Sequence, residues 1–195
     1  MKNSFSLGAI AAFLLLSVVF HPIPLRSETI TGEVNPAAVP NRYGMALIGG
    51  NTYSPTNDIS LFMVSGFALF DYEKVWHHQA PAPLRFKTEF AFGGASGSER
   101  GFVGSAGITA LYYVDPLSGR SFRPYVEGGI GLIYTDFRVQ GQGLHLNFNP
   151  QAGIGVELTS GVFAAARLHH ISNGGLSHNN QGVNSVVLMI GRFVK

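Results

Sequence analysis

The residues best suited to chemistry lie near the end of the chain, in Leu168-His169-His170-Ile171-Ser172-Asn173-Gly174-Gly175, with Gly182-Val183-Asn184 following a polar loop. In extended backbone, residues i and i+2 share a face and lie about 6.5 Å apart. On a strand His170 therefore reaches toward the Ser172 hydroxyl, the minimum arrangement for a nucleophile activated by a neighbouring base. A His-x-Ser pair is common by chance. Its meaning depends on the element that carries it and on the solvent that element faces.

The composition bears on the solvent. Only 12% of the 195 residues are charged, against about 25% in an ordinary soluble domain. The N-terminus reads as a secretory signal over residues 1–27: Lys2, an apolar run over 7–20, then Pro22 and Pro24, with cleavage after Ser27. That run is short of the about 20 apolar residues that a spanning helix needs. The 13 basic and 11 acidic residues give a formal +2, but Lys2 and Arg26 fall within the signal segment. Residues 28–195 are thus near neutral, which argues against nucleic acid as a partner. The absence of cysteine excludes a disulfide scaffold.

From Arg42 onward the pattern is period two with no helical periodicity. Over 144–158 the even positions are Leu144, Leu146, Phe148, Pro150, Ala152, Ile154, Val156 and Leu158. The odd ones are His145, Asn147, Asn149, Gln151, Gly153, Gly155 and Glu157. Residues 84–93 repeat this, with Leu84, Phe86, Thr88, Phe90 and Phe92 opposed to Arg85, Lys87, Glu89, Ala91 and Gly93. Looser alternation covers 43–50, 58–72, 101–114, 122–138, 162–172 and 184–194, with turn-rich stretches between, including 94–100 and 115–121. Eight strands suit an all-β, antiparallel, up-and-down barrel, which has no free edges.

A soluble barrel of lipocalin type would carry a charged exterior. Here the polar face consists of Gly, Asn, Gln and Ser, which suits the crowded lumen of an eight-stranded transmembrane β-barrel. Residues 28–195 are therefore expected to form one outer-membrane β-barrel domain, with Tyr43, Phe70, Phe86, Phe102, Tyr112, Tyr134 and Phe148 as interfacial aromatics. If both ends of the barrel lie in the periplasm, the seventh segment, 162–172, runs outward and brings His170 and Ser172 near the outer leaflet. Arg167 is expensive in lipid and belongs in the lumen. Parity then turns His170 and Ser172 toward lipid. Two readings follow: a site whose substrate lies in the membrane plane, or polar residues tolerated at headgroup level.

The pattern His170-x-Ser172-Asn173-x-Gly175-Leu176, then Asn180-x-Gly182-Val183-Asn184 before a last strand, resembles the lipid A 3-O-deacylases, outer-membrane acyl hydrolases. The resemblance implies an esterase acting on lipid A or lipopolysaccharide, with no metal or other cofactor. It implies Ser172 as nucleophile, His170 as general base, and Asn173 with the Gly175 N–H at an oxyanion hole. The third member of that family's triad is a glutamate; the matching position here is Asn184, which can orient an imidazole without offering it charge. A different class, a non-enzymatic barrel of structural or adhesive type, shares the fold and differs at the site.

The remaining polar residues read as structure. His169 points into the lumen, and His178 lies in a solvated loop. His77 and His78 beside Trp76 belong to an interfacial loop. Glu89, Glu127 and Glu157 are expected to pair with Arg85, Lys87 and Arg167 inside the barrel. The glycines at 128, 129, 131, 153 and 155 allow close packing, since no helix follows them to bind phosphate.

Overall fold

Period-two alternation produces long strands because each can bury one face and pair both edges. The computed structural model describes residues 40–55, 58–139 and 141–194. The signal segment expected over 1–27, and the lead-in through residue 39, lie outside the described residues. The strands are β1 (Arg42–Ser54), β2 (Ile59–Asp71), β3 (Leu84–Gly97), β4 (Gly101–Tyr113), β5 (Phe122–Thr135), β6 (Leu146–Phe148), β7 (Gln151–Leu158), β8 (Val162–Ile171) and β9 (Val183–Val194). A short helix, α1 (Tyr72–Trp76), lies between β2 and β3.

Apart from β6 and β7, which both pair with β5, sequence neighbours pair antiparallel, and β1 pairs with β9. The sheet therefore closes. β6 and β7 both pair with β5 and form one stave, so the described residues make an eight-stranded up-and-down barrel, as expected. Two local expectations need correction. The stretch 144–158 is broken at Asn149-Pro150, where proline has no N–H to donate. Residues 94–97, read as turn, continue β3 and pair with Ile59 to Phe62 of β2.

The inward face carries the polar groups and the outward face the large apolar ones. Exposed outward residues include Met45, Leu47, Phe62, Phe90, Leu132, Ile154, Leu168, Leu188 and Ile190. A soluble barrel would leave that band in water at a large hydrophobic cost. Exposed aromatics mark both edges of the band: Tyr53, Phe102, Tyr134 and Phe148 at one end, Tyr43, Tyr112 and Phe122 at the other. On β4 the step from Phe102 to Tyr112 spans about 33 Å of strand, or about 25 Å of height at a tilt of about 40°. That is the thickness of an outer-membrane apolar band.

The interior is filled. Phe67, Phe163 and Phe193 pack against one another with ring centroids 5.1, 5.3 and 5.6 Å apart. Beside them Lys87, Glu89, Glu127 and Arg167 form a buried network. Arg167 holds Glu89 through two hydrogen bonds of 3.0 and 2.9 Å and also bonds Glu127, which accepts from Lys87 at 2.5 Å. Arg167 is thus luminal, as strand parity required. Glu157 binds Arg42 at 2.6 Å and accepts from the Tyr113 hydroxyl at 2.7 Å. Arg85 departs from expectation: it sits at the rim, on the Ala82 and Leu84 carbonyls and 3.7 Å from Asp71. Gly155 is required by packing, because a Cβ there would collide with the Tyr125 ring.

Candidate active site

β8 and β9 pair in a register that sets His170 opposite Asn184. Both point outward, away from the luminal Arg167 and His169. The side chains meet: His170 Nδ1 lies 2.6 Å from Asn184 Oδ1. With the amide oxygen turned to the ring, Nδ1–H donates and Nε2 is left free to accept a proton. No carboxylate hydrogen-bonds this imidazole among the described residues.

Ser172 follows at the end of β8, on the same outward parity. Its backbone is clamped to the interrupted stave: Phe148 N–H donates to Ser172 O at 2.8 Å, and Ser172 N–H to Phe148 O at 3.1 Å. The Ser172 hydroxyl and the imidazole are brought to one face without a hydrogen bond between them. Such contacts are commonly long in unliganded sites and tighten when substrate binds.

Next comes a turn built on Asn173, which is fully buried. Its backbone N–H donates to Asn180 Oδ1 at 2.8 Å, and its Nδ2 donates to Asn179 O at 2.7 Å. Its Oδ1 accepts from the Gly175 N–H at 3.0 Å. Gly174 and Gly175 have φ of +64° and +87°, left-handed values that glycine adopts without strain. A Cβ added to Gly175 would meet nothing within 4 Å, so its outer side is open.

Ser172, His170, Asn184, Asn173 and Gly175 thus come together at one end of the barrel wall. Three further residues belong with them. Phe148, an interfacial aromatic by its alternation, also pairs with Ser172, and a Cβ on Gly174 would stand 3.0 Å from its ring. Gly182 lies against the imidazole: a Cβ there would stand 2.8 Å from His170 Cε1. Asn180 holds the Asn173 turn. Both sit within the Asn180-x-Gly182-Val183-Asn184 pattern, which was the available signal, but the pattern carries no geometry.

The other histidines stay apart. His169 is buried in the lumen, and its Nε2 has no hydrogen-bond partner. His178 is exposed, and so are His77 and His78, which follow α1. Trp76 of that helix packs on Phe86 with centroids 5.5 Å apart, so α1 lies against the outer rim. Among the described residues, no three of His, Asp and Glu gather as a metal site.

Comparison with known proteins bears on the family and the fold. A family model described as Lipid A 3-O-deacylase (PagL) matches residues 69–192, a span that contains every residue of the site. The lipid A deacylase PagL of Pseudomonas aeruginosa is 29% identical over 122 residues, covering 61% of this chain and 70% of the relative. The crystal structure of the outer membrane enzyme PagL superposes with a TM-score of 0.57 at 24% identity, over 76% of this chain and 98% of that one. Neisserial surface protein A superposes with a TM-score of 0.55 at 16% identity, over 79% and 96%. At those identities the two structures speak to the fold, which is that of outer-membrane barrels. The apolar band, the closed barrel and the match over most of the chain lead to one assignment: this is an outer-membrane protein that belongs to the lipid A 3-O-deacylase (PagL) family.

Proposed function

We propose that this protein hydrolyses the 3-O-acyl ester of lipid A in the outer leaflet, using Ser172 as nucleophile and His170 as general base. The observation that carries the reading is the 2.6 Å contact between His170 and Asn184 on the lipid-facing wall, beside Ser172. Polar residues tolerated at a membrane interface have no need of an oriented imidazole. A lipid substrate reaches this wall laterally, so the end of the barrel that carries the site faces outward. The barrel termini then lie in the periplasm, and residues 1–27 act as the export signal for a barrel domain over 28–195.

Asn184 holds Nδ1–H and leaves Nε2 toward Ser172. As the Ser172 oxygen attacks the ester carbonyl, Nε2 takes its proton and a tetrahedral oxyanion forms. The imidazolium then protonates the departing sugar oxygen, leaving an acyl-serine. Water attacks that ester as His170 accepts its proton; the imidazolium then returns the proton to the Ser172 oxygen as the acyl–Oγ bond breaks and the fatty acid leaves. The oxyanion is stabilised at the Asn173–Gly175 turn. At rest the Gly175 N–H is held by Asn173 Oδ1, and it turns to the ester oxygen as substrate enters from its open side. Asn184 is uncharged, so it orients the imidazole but does not offset the imidazolium charge.

The test is mass analysis of lipid A from membranes that express the wild type, Ser172→Ala or His170→Ala, with barrel folding confirmed by heat-modifiable gel migration. Loss of one acyl chain with the wild type and with neither variant is expected. Identical lipid A with and without the folded wild type would leave a non-enzymatic barrel as the better description.

A further inference from the structure

Arg192 stands on the lipid-facing wall without an ion-pair partner among the described residues. It is exposed on the outward side of β9, opposite Met45 of β1 and Val162 of β8. Tyr43, which faces Val194 and marks the aromatic edge of the band, lies one outward step nearer the rim. Arg192 and Asn184 are eight positions apart on β9. That is about 27 Å of strand, or about 21 Å of height at a tilt of about 40°. The ester site and Arg192 thus occupy opposite interfaces of the apolar band. A guanidinium at this depth is costly in hydrocarbon unless an anion meets it, so such side chains extend toward the headgroups.

The wall beside Arg192, on the side of the bilayer midplane, is hollowed. The outward residues of β8 there are Ala164 and Ala166. Ile154 and Val156 of β7 stand along one side of them, and Leu188 and Ile190 of β9 along the other. These two rows are two strand spacings apart, about 10 Å from backbone to backbone. Their side chains leave the width of one hydrocarbon chain over the alanines. No charged side chain lines the trough. Leu168, large and exposed, takes the next outward position on β8 and separates the trough from His170.

We propose that this trough binds one glycerophospholipid of the periplasmic leaflet, with its phosphate on Arg192 and one acyl chain over Ala164 and Ala166. From Arg192 to Leu188 the wall climbs about 10 Å, which lies within one leaflet of a band about 25 Å tall. A chain entering from the ester side brings no anion to Arg192, whereas a chain rising from the periplasmic leaflet carries its phosphate at that level. Phosphatidylethanolamine offsets its own phosphate with an ammonium, and the trough has no carboxylate to receive that ammonium. A net-anionic headgroup such as phosphatidylglycerol is therefore preferred. The leaflet follows from the orientation adopted for the ester chemistry; the binding itself does not depend on that reading.

The experiment folds the full barrel in neutral-detergent micelles that contain phosphatidylglycerol or phosphatidylethanolamine, and counts retained phospholipid by native mass spectrometry. The wild type is expected to keep one phosphatidylglycerol, about fivefold more often than phosphatidylethanolamine. Arg192→Gln is expected to lower that retention about fivefold, and Arg192→Lys to hold it within about twofold. Ala166→Phe fills the trough while leaving Arg192 in place, and is expected to lose retention as Arg192→Gln does. Deacylation by Arg192→Gln is expected to match the wild type, because the substitution lies at the other interface.

Equal retention by the wild type and Arg192→Gln means unspecific annular lipid only, and overturns the inference. So does an Ala166→Phe variant that keeps phosphatidylglycerol as the wild type does; a raised KM for lipid A in that variant then gives the trough to the acyl chain of the ester. Retention is read without catalysis, so a folded wild type that releases no acid overturns the functional reading and not this one.

Discussion

Replacing Asn184 by glutamate should make the enzyme faster. In the proposed mechanism the imidazolium of His170 exists only once Ser172 has given up its proton, so a negative charge beside Nδ1 would stabilise the transition state and leave the resting complex little changed. The Nδ1 to Oδ1 contact is 2.6 Å, which puts a carboxylate there about 4 Å from the centre of the ring charge. At that separation the attraction is ~1 kcal/mol in a dielectric of about 80 and ~4 kcal/mol at an effective value of about 20. At about 1.36 kcal/mol per tenfold, the gain in kcat falls between ~5-fold and ~10³-fold. A partly exposed site on a barrel wall belongs toward the lower part of that range, and the gain should shrink as salt is added. Loss of the carboxylate in a serine protease triad costs about 10⁴ in rate, which bounds the effect from the other direction. Glutamate is also one methylene longer, so Asn184→Gln supplies the neutral control of equal length. The assay is initial-rate release of fatty acid from lipid A in detergent micelles, normalised to the folded fraction on a gel. If Asn184→Glu is no faster than Asn184→Gln, the Asn184 side chain is not the third member of the catalytic set.

Three shorter expectations come from the same geometry. Gly182→Ala places a methyl group 2.8 Å from His170 Cε1; a ring displaced by about 1 Å should cost up to about 10²-fold in kcat, read in the same assay beside an unchanged heat-modifiable shift. Arg167→Leu leaves Glu89 and Glu127 with only Lys87 between them, and breaking such a buried network should destabilise the barrel by about 3–5 kcal/mol in urea titrations of folding into vesicles. Leu188→Arg puts a cation on the outer, apolar face of β9, with an expected cost of about 2–4 kcal/mol by the same titration if it sits near the bilayer midplane.

Parity along a strand is a local property, and the sequence alone determined what depends on it. Because side chains alternate with period two, placing Arg167 in the lumen was enough to turn Leu168, His170 and Ser172 outward. The same rule divided Asn147, Asn149 and Glu157 from Leu146, Phe148 and Ile154, and the structure places them on those sides. The count of eight staves, and the charge-poor composition that suits lipid, were also legible.

Register between strands was not legible, because it is set by closure of the whole barrel and by the lengths of the loops. Only the β8–β9 register decides that His170 faces Asn184, fourteen positions along the chain, and binds it through Nδ1. Only the break at Asn149-Pro150 and the backbone ladder beyond it bring Phe148 to Ser172. The partners of the rim charges followed closure too: Glu157 found Arg42 from the first strand, and Arg85 stayed outside the cluster that its alternation had suggested. Asn173 and Asn180 stood in the sequence as two members of one motif. That one is buried and held by the other, with glycines of a second loop behind them, is a consequence of two loops packing over a single stretch of wall.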